Sequence, residues 1–256
     1  MEKLKGQVAI VTGGSRGIGA GIAYRLAGEG AHIIIADVLE ASEMIDKVTN
    51  HFPDIQVRSH QADIRDIAAI QTLVDETIQE FGRIDILVNN AGTCSRFDLE
   101  EMTEDMWDQD LNTNLKATFF FMQKVVYPHM ISRNYGRIIN ISSISGMNGG
   151  HVSSFDPYSL KGRSGPAYAA SKGGVIALTK WAAKELGSTG ITCNSVAPGA
   201  VESGITKGIA YNLDNQVVKR MGLPEDIAEA VCYFSLPEAS YTTGQVLRVC
   251  GGAVFA

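Results

Sequence analysis

Two side chains whose types and spacing could perform acid–base chemistry lie close together in the sequence. Tyr168 and Lys172 are four positions apart, so on a helix they share one face. The phenol of a free tyrosine has a pKa of about 10, and a neighbouring positive charge favours the phenolate. We therefore expect Lys172 to lower the pKa of Tyr168 and to make the phenol a proton donor and acceptor near neutral pH. The pair alone is weak evidence, because tyrosine and lysine also occur at this spacing on ordinary helices.

A glycine-rich turn lies far upstream of this pair, between an apolar run and a helical pattern. Residues 12–19 read Thr-Gly-Gly-Ser-Arg-Gly-Ile-Gly. Glycines permit a tight turn and a close approach of the backbone to a pyrophosphate, which then lies at the helix N-terminus. The spacing is GxxxGxG and not the general GxGxxG dinucleotide pattern, so a plain strand-to-helix turn remains an alternative.

An acidic residue follows the second apolar run, at the position where a dinucleotide would present its adenosine ribose. Asp37 lies 18 residues after Gly19. A carboxylate there can accept hydrogen bonds from the ribose hydroxyls and would repel a 2′-phosphate. Arg16 acts in the opposite direction, because a guanidinium can bind phosphate. Neither Val38 nor Leu39 adds a positive charge after Asp37, so we expect NAD in preference to NADP.

Seven short apolar runs alternate with longer segments of helical periodicity. Several runs are continuously apolar, which is typical of strands buried on both faces of a parallel sheet. The predicted strands are 8–11, 32–36, 55–59, 84–88, 137–141, 191–196 and 245–249, and the predicted helices are 18–28, 67–81, 103–130, 168–186 and 224–234. We therefore expect an α/β fold, a Rossmann-type doubly wound, seven-stranded parallel sheet with helices on both faces. No linker divides the chain, so residues 1–256 are predicted to form one domain.

Composition and charge argue against several classes of protein. The net charge is −6 and no run of lysine or arginine occurs, which argues against a nucleic-acid partner. The four cysteines show no CxxC spacing and the five histidines are scattered, so we expect neither a disulfide framework nor a metal site. No apolar stretch approaches the ~20 residues of a membrane span, and the first residues are not typical of a targeting segment. We therefore expect a cytoplasmic protein without a membrane partner.

Over nearly its whole length the chain resembles the short-chain dehydrogenase/reductase family, in its small single-domain branch. The matching motifs are TGxxxGxG at 12–19, NNAG at 89–92, the catalytic asparagine at Asn114, the catalytic serine at Ser143, YxxxK at Tyr168 and Lys172, and a proline–glycine pair at Pro198 and Gly199. Each motif is modest alone, but together they occur in the order and at the intervals of that family.

The resemblance implies a role for each of the four catalytic positions. Tyr168 would give a proton to a carbonyl oxygen during reduction and take one during oxidation. Lys172 would lower the pKa of the phenol and hold the nicotinamide ribose. Ser143 would donate a hydrogen bond to the substrate oxygen, and Asn114 would support a proton-relay water. Ser142 is a rival to Ser143, but alignment of the following Gly146 favours Ser143.

The resemblance also implies a binding groove for the dinucleotide. Its predicted contacts are Gly13, Ser15, Arg16, Ile18, Asp37, Asp63, Ile64, Asn90, Ala91, Gly92, Tyr168, Lys172, Pro198, Gly199, Val201 and Ser203. Asp63 would meet the adenine amino group, or alternatively would cap the helix that begins near Asp66. Ser203 stands where many relatives have threonine, and Cys250 replaces a frequent aspartate.

The segment between the serine and the tyrosine is longer than is usual in this family. Ser143 and Tyr168 are 25 positions apart, and the additional residues lie around 151–162. Our hypothesis is that this insertion covers part of the substrate mouth, with a solvated surface loop as the alternative. Tyr158 and Lys161 mimic the catalytic motif there but have the wrong spacing.

The predicted function is NAD(H)-dependent interconversion of a secondary alcohol and a ketone. The substrate pocket would be lined by residues 93–97, 144–155 and a lid at about 200–218. One alternative is a 3-oxoacyl-carrier-protein or acyl-CoA reductase that uses NADPH, although Pro128 and Lys184 stand where such enzymes present arginines to an acidic carrier. A less favoured alternative is a non-catalytic nucleotide sensor, which would not need the four catalytic residues.

Four consecutive apolar residues in the third long helical pattern predict self-association. Residues 119–122 read Phe-Phe-Phe-Met, so they cover every side of a helix, and one side needs a second surface. Relatives use this helix and the helix with the catalytic tyrosine as a dimer interface. We expect a homodimer or a homotetramer.

Overall fold

The computed structural model describes residues 2–150, 164–209, 211, 213–214 and 216–255, and these residues form an α/β fold around one parallel sheet. The seven strands are β1 Val8–Thr12, β2 His32–Asp37, β3 Val57–Gln61, β4 Ile86–Asn89, β5 Gly136–Ile141, β6 Ile191–Pro198 and β7 Val246–Val249. Their order across the sheet is β3-β2-β1-β4-β5-β6-β7, and every adjacent pair is parallel. The predicted seven-stranded doubly wound sheet is confirmed.

Nine α-helices connect the strands within the described residues. They are α1 Gly17–Gly28, α2 Ser42–His51, α3 Ile67–Phe81, α4 Glu104–Leu111, α5 Ala117–Val125, α6 Ile131–Arg133, α7 Ser145–Asn148, α8 Pro166–Glu185 and α9 Pro224–Ser235. Two π-helical stretches, Asn112–Lys116 and Val126–Met130, join α4, α5 and α6 into one nearly continuous rod, with non-helical backbone at Tyr127. The single helix predicted at 103–130 therefore has two irregular turns and ends a few residues later.

Continuous apolar strands fill two hydrophobic layers at once. In β1, Ala9 and Val11 pack with α1, α2 and α9, whereas Val8 and Ile10 pack with α3, α5 and α8. Successive side chains of a strand point to opposite faces, so both faces of the central strands need apolar residues. At ~25 cal/mol per Å² of buried apolar surface, these two layers supply the main driving force for the fold.

Strand boundaries agree with the sequence prediction to within two residues at each end, but two helices, α2 and the short α7, were not predicted. Helix α2 is largely polar and buries only Met44 and Val48. A pattern this sparse does not give the repeated apolar stripe by which the other helices were recognised. Between Ser143 and Tyr168 the chain forms α7 and then begins α8; the insertion at 151–162 lies outside the described residues.

The sheet topology fixes where a ligand can bind. The chain runs outward through β1, β2 and β3, then returns to the other side of β1 at β4. In such sheets the crevice at the carboxyl ends of the strands, at this reversal point, is the usual binding site. No helix among the described residues is long and apolar enough to cross a membrane.

Candidate active site

A groove of about 570 Å³ opens at the carboxyl ends of the strands, where the strand order reverses. This volume lies within the range of ordinary ligand sites. Among the predicted residues it is lined by Gly13, Arg16, Ile18, Asp37, Asp63, Ile64, Asn90, Ala91, Gly92, Ser143, Tyr168, Lys172, Pro198, Gly199, Val201 and Ser203. Neither Ser15 nor Asn114 lines the groove; both act on residues that do. The structure thus brings the predicted residues together, and their contact with a cofactor remains a prediction.

The glycine-rich turn has room for backbone only, as an approaching phosphate would require. Gly13 has a φ of 64°, and a Cβ there would lie 2.9 Å from the Cα of Ala91. A Cβ on Gly19 would lie 2.0 Å from the carbonyl oxygen of Gly13. Helix α1 begins after Arg16 with no side chain capping its first turn, so backbone N–H groups there point into the groove without a protein acceptor. This turn fits the pyrophosphate of a dinucleotide.

Asp37 is held rigidly at the end of β2. Its carboxylate accepts hydrogen bonds from the backbone N–H of Ser15 at 3.1 Å and from the Ser15 hydroxyl, and from the N–H of Leu39 at 3.1 Å. No described lysine or arginine forms an ion pair with it. The groove therefore has a fixed negative charge on its wall at this point.

Asp63 is engaged by an arginine. Both oxygens of its carboxylate accept from the Arg65 guanidinium, at 2.6 to 3.0 Å, and this hydrogen bonding lowers the pKa of Asp63. The alternative that Asp63 caps the next helix is wrong, because Asp66 is the capping residue and accepts from the N–H of Ala68 at 2.9 Å. Asp63 still lines the groove, so contact with an adenine amino group remains a prediction.

Tyr168 and Lys172 lie on the first turns of α8 and reach the groove beside the end of β5. Tyr168 is half-buried, and it lines the groove together with Ser143. Lys172 is 4% exposed, and its ammonium donates to the carbonyl of Ile141 at 2.8 Å, 5.7 Å from the centroid of the Tyr168 ring. Three of the four predicted catalytic side chains therefore meet at one point.

The predicted depression of the Tyr168 pKa is wrong for the structure. Burial raises the pKa of Tyr168, and the nearby Ser143 hydroxyl opposes this only in part. Burial lowers the pKa of Lys172 to about 8, because the charged ammonium is removed from water. The spacing argument put the two groups on one face correctly but ignored the cost of burying them.

Asn114 does not line the groove but forms hydrogen bonds with segments that do. It lies in the first π-helical stretch and is almost fully buried. Its side-chain amide accepts from the N–H of Thr93 and donates to the Thr93 carbonyl and to the Ser171 hydroxyl, each at 2.9 Å. Ser171 in turn donates to the carbonyl of Tyr168. Asn114 thus joins the segment after β4 to the helix of the catalytic tyrosine, and its part in a proton relay remains a prediction.

Ser142 has a different task from Ser143. Its hydroxyl is buried and lies 2.7 Å from the hydroxyl of Ser195 on the adjacent strand. It therefore stabilises the pairing of β5 with β6, whereas the Ser143 hydroxyl lies close enough to the Tyr168 phenol to affect its pKa. The choice of Ser143 as the catalytic serine stays a prediction.

A smaller cavity of about 80 Å³, here called the inner cavity, adjoins the groove at Tyr168. Its described lining is Cys94, Arg96, Ser143, Ile144, Ser145, Ser164, Tyr168, Gly199, Ala200, Ile205, Thr206, Tyr211, Leu213, Gln216 and Ala253. Among these described residues, Arg96 is the only one that is a lysine, an arginine, an aspartate or a glutamate. Most of this lining falls in the three segments predicted for the substrate pocket; Ser164 and Ala253 were missed because they lie outside them.

The predicted lid is tied down at its base and touches Arg96. Val201 forms an isolated parallel bridge with Gly222, which closes the neck of the segment. The Arg96 guanidinium donates to the carbonyl of Ile205 at 3.2 Å and to the Tyr211 hydroxyl at 3.0 Å. A cation therefore lies between the segment after β4 and the segment after β6, at the wall of the inner cavity.

Known proteins are similar to the chain over nearly its whole length. The sequence model of the family described as short chain dehydrogenase matches residues 7–214. A 3-oxoacyl-[acyl-carrier-protein] reductase of Thermotoga maritima is 36% identical, over 98% of this chain and 99% of the relative. A reductase of the same name from Staphylococcus epidermidis is 38% identical, over 95% and 97%. A (2S)-[(R)-hydroxy(phenyl)methyl]succinyl-CoA dehydrogenase subunit of Thauera aromatica is 36% identical, over 97% of each chain.

Proposed function

The chain belongs to the short-chain dehydrogenase family of oxidoreductases acting on CH–OH groups, and on that premise we propose that it interconverts the hydroxyl and oxo forms of an acyl thioester with NAD(H). The observation that carries the proposal is that Ser143 and Tyr168 line both the groove and the inner cavity, at the place where the two adjoin. A carbonyl oxygen at that junction can receive two hydrogen bonds while its carbon faces the groove.

The chemistry divides between the cofactor and the protein. NAD(H), when bound, supplies or accepts the hydride. Tyr168 donates its phenolic proton to the carbonyl oxygen as negative charge develops there, and burial keeps that proton on the phenol until then. Ser143 donates a second hydrogen bond to the same oxygen. The Lys172 ammonium lies beside the Tyr168 ring and stabilises the phenolate left after the transfer.

The substrate class is supported by the relatives and by the size of the inner cavity. The relatives' names describe acyl groups carried on acyl-carrier protein or on CoA. A cavity of about 80 Å³ holds only the reacting end of a substrate, so a bulky carrier has to remain outside it. This favours the acyl-thioester alternative over a simple secondary alcohol.

The cofactor is proposed to be NAD(H) because of Asp37. A carboxylate fixed by Ser15 and Leu39 can accept hydrogen bonds from two ribose hydroxyls but repels a 2′-phosphate. Arg16 and Arg65 also line the groove, but the Arg65 guanidinium is occupied by Asp63. The proposal therefore combines the substrate class of the alternative with the cofactor of the original prediction.

A panel of substrates and cofactors tests the proposal. NADH absorbance is followed with acetoacetyl-CoA and with a simple ketone such as cyclohexanone, and each assay is repeated with NADPH. We expect the highest kcat/KM with acetoacetyl-CoA and NADH. Turnover of the simple ketone alone would contradict the substrate class, and turnover with NADPH alone would contradict the cofactor.

We also propose a homo-oligomer, as the sequence suggested. Aromatic side chains with substantial exposure lie along the α4–α6 rod and α8: Trp107 is 39%, Tyr127 51% and Trp181 56% exposed. Phe119 and Phe120 are half-buried beside them. A second copy covering this surface would remove large apolar area from water, and light scattering showing a stable monomer at micromolar concentration would count against it. A cytoplasmic location stays a prediction.

A further inference from the structure

Helix α4 buries one residue, and that residue is an acid. Among the eight residues of Glu104–Leu111 only Asp110 is buried, with no exposed surface. Asp110 was not among the predicted site residues. The buried face of a helix normally carries apolar side chains, so the helical pattern did not indicate a buried acid here. A buried carboxylate is costly unless it is hydrogen-bonded and close to a positive charge.

The carboxylate holds the segment that follows β4. One oxygen of Asp110 accepts from the Thr93 hydroxyl at 2.7 Å, and the other accepts from the backbone N–H of Ser95 at 2.9 Å. The main chain of Thr93 is held as well, by two hydrogen bonds with the Asn114 amide. Thr93 and Ser95 are therefore both hydrogen-bonded to α4 through Asp110.

The residues next to these anchors line the site. Cys94 lines both the groove and the inner cavity, and Arg96 lines the inner cavity beside Tyr168. Thr93 lines the groove as well, so its bond to Asp110 fixes one residue of the groove wall directly. Asp110 thus determines which side chains of this segment reach the substrate.

The segment cannot easily move away from Asp110 because α8 closes in from the other side. The carbonyl of Ser95 accepts from the N–H of Gly165, immediately before α8, at 3.1 Å. A Cβ at Gly165 would lie 2.1 Å from that same oxygen. The segment is therefore confined between α4 and the start of the helix that carries Tyr168 and Lys172.

Asp110 also has a partner of opposite charge nearby. Lys172 is buried and forms no ion pair at salt-bridge distance within the described residues. Burial lowers its pKa, whereas the charges of two groups favour its protonated form: the Cys94 thiolate from the segment after β4 and the Asp110 carboxylate from α4. Tyr168 lies beside it on α8. The Cys94 thiol stays protonated at neutral pH, since burial raises its pKa to about 11, so it carries no charge beside Lys172 there.

We propose that Asp110 is a positioning residue of the active site: through Thr93 and Ser95 it holds residues 93–96 so that Cys94 and Arg96 face the substrate, and its negative charge offsets the buried charge of Lys172. The proposal rests on the proposed function for its kinetic consequences. It does not rest on that function for the conformation of the segment, which can be measured separately.

Kinetics of Asp110→Asn test the proposal, with Asp108→Asn as the matched control. Asp108 is an exposed acid on the same helix. Asparagine keeps the size of the side chain but removes its charge, so we expect kcat/KM to fall about tenfold or more. We also expect the alkaline limb of the pH–rate profile to move to lower pH, because Lys172, with a pKa of about 8, loses a charge that favours its protonated form. Asp108→Asn should behave as wild type.

A second readout does not depend on activity. The rate at which iodoacetamide alkylates Cys94 is measured by mass spectrometry in the wild type, Asp110→Asn, Asp108→Asn and Thr93→Val. Release of the segment exposes the thiol, and loss of the acidic charge lowers its pKa, so Asp110→Asn should react severalfold faster. Thr93→Val removes one anchor but keeps the charge, so it should accelerate alkylation without moving the alkaline limb, and it serves if Asp110→Asn does not fold.

The outcomes separate the two proposals. Faster alkylation in the variants together with a wild type inactive on every thioester would disprove the proposed function and leave the positioning role standing. An unchanged alkylation rate in both variants would overturn the positioning role whatever the kinetics. A lowered melting temperature with wild-type KM, pH profile and alkylation would show that Asp110 serves stability alone.

Discussion

The hydroxyl of Ser143 lies beside the phenol of Tyr168, where both residues line the groove and the inner cavity, although 25 positions separate them in the chain. The serine follows β5 and the tyrosine begins α8, so the contact joins the end of the sheet to the helix that packs beside it. Both groups can face one substrate oxygen, and this contact is the centre of the proposed chemistry.

Tyr168→Phe removes the proton donor but keeps the ring. We expect kcat to fall by about 10²–10⁴-fold, the usual contribution of a positioned acid, with little change in NADH affinity. Stopped-flow turnover and NADH fluorescence titration measure the two quantities. A variant with wild-type turnover would show that another group supplies the proton, or that the chain is a nucleotide sensor.

Asp37→Ala removes the fixed charge from the ribose end of the groove. In the wild type, Ser15 and Leu39 hold the Asp37 carboxylate in place, where it repels a 2′-phosphate. Removing the carboxylate should therefore raise kcat/KM for NADPH and lower kcat/KM for NADH, and should change the ratio of the two by about tenfold or more. Asp46→Asn, at an exposed acid of α2, is the control. If both variants keep the wild-type ratio, Asp37 does not select the cofactor.

Arg96→Met removes the cation from the wall of the inner cavity and its contacts with Ile205 and Tyr211. We expect KM for acetoacetyl-CoA to rise about tenfold, because a charged hydrogen bond to a ligand is worth about 1.5–3 kcal/mol, while kcat changes less. Tyr211→Phe removes one of these two contacts and keeps the cation, so it should have a smaller effect. Equal KM values for wild type and Arg96→Met would exclude Arg96 from substrate recognition.

Lys172→Met should change how stability depends on pH. The ammonium of Lys172 has a pKa of about 8 in the folded protein, against an ordinary value of 10.5, so the unfolded chain binds more protons between these two pH values. The wild type should therefore gain stability relative to Lys172→Met as pH rises from 8 to 10.5, by up to about 3 kcal/mol. Urea unfolding at several pH values measures this. If the difference in unfolding free energy between the two proteins does not depend on pH, burial does not lower the pKa of Lys172.

Much of this architecture could be predicted from the sequence because it depends on local patterns. Continuously apolar runs such as the one before Thr12 revealed strands buried on both faces, and the motif spacings placed Ser143, Tyr168 and Lys172 in one site. These features could be predicted because the sheet topology brings the carboxyl ends of the strands together, whatever the details of side-chain packing.

The features that the sequence did not reveal depend on environment. The pKa of Tyr168 is raised because the phenol is buried, which spacing to Lys172 does not report. Asp110 is buried because Thr93 and Ser95, from another part of the chain, supply its hydrogen bonds. Asp66 and not Asp63 caps α3. The two aspartates are three residues apart, and only the backbone geometry at the start of the helix decides between them.

The most direct test of the central claim follows the hydride itself. NADH that carries deuterium at its transferable position is incubated with acetoacetyl-CoA and the wild-type protein, and the product is examined by mass spectrometry. The proposed function predicts one deuterium at the new hydroxyl-bearing carbon, and about 10²–10⁴-fold slower labelling with Tyr168→Phe. An unlabelled product, or no consumption of either compound, would contradict it.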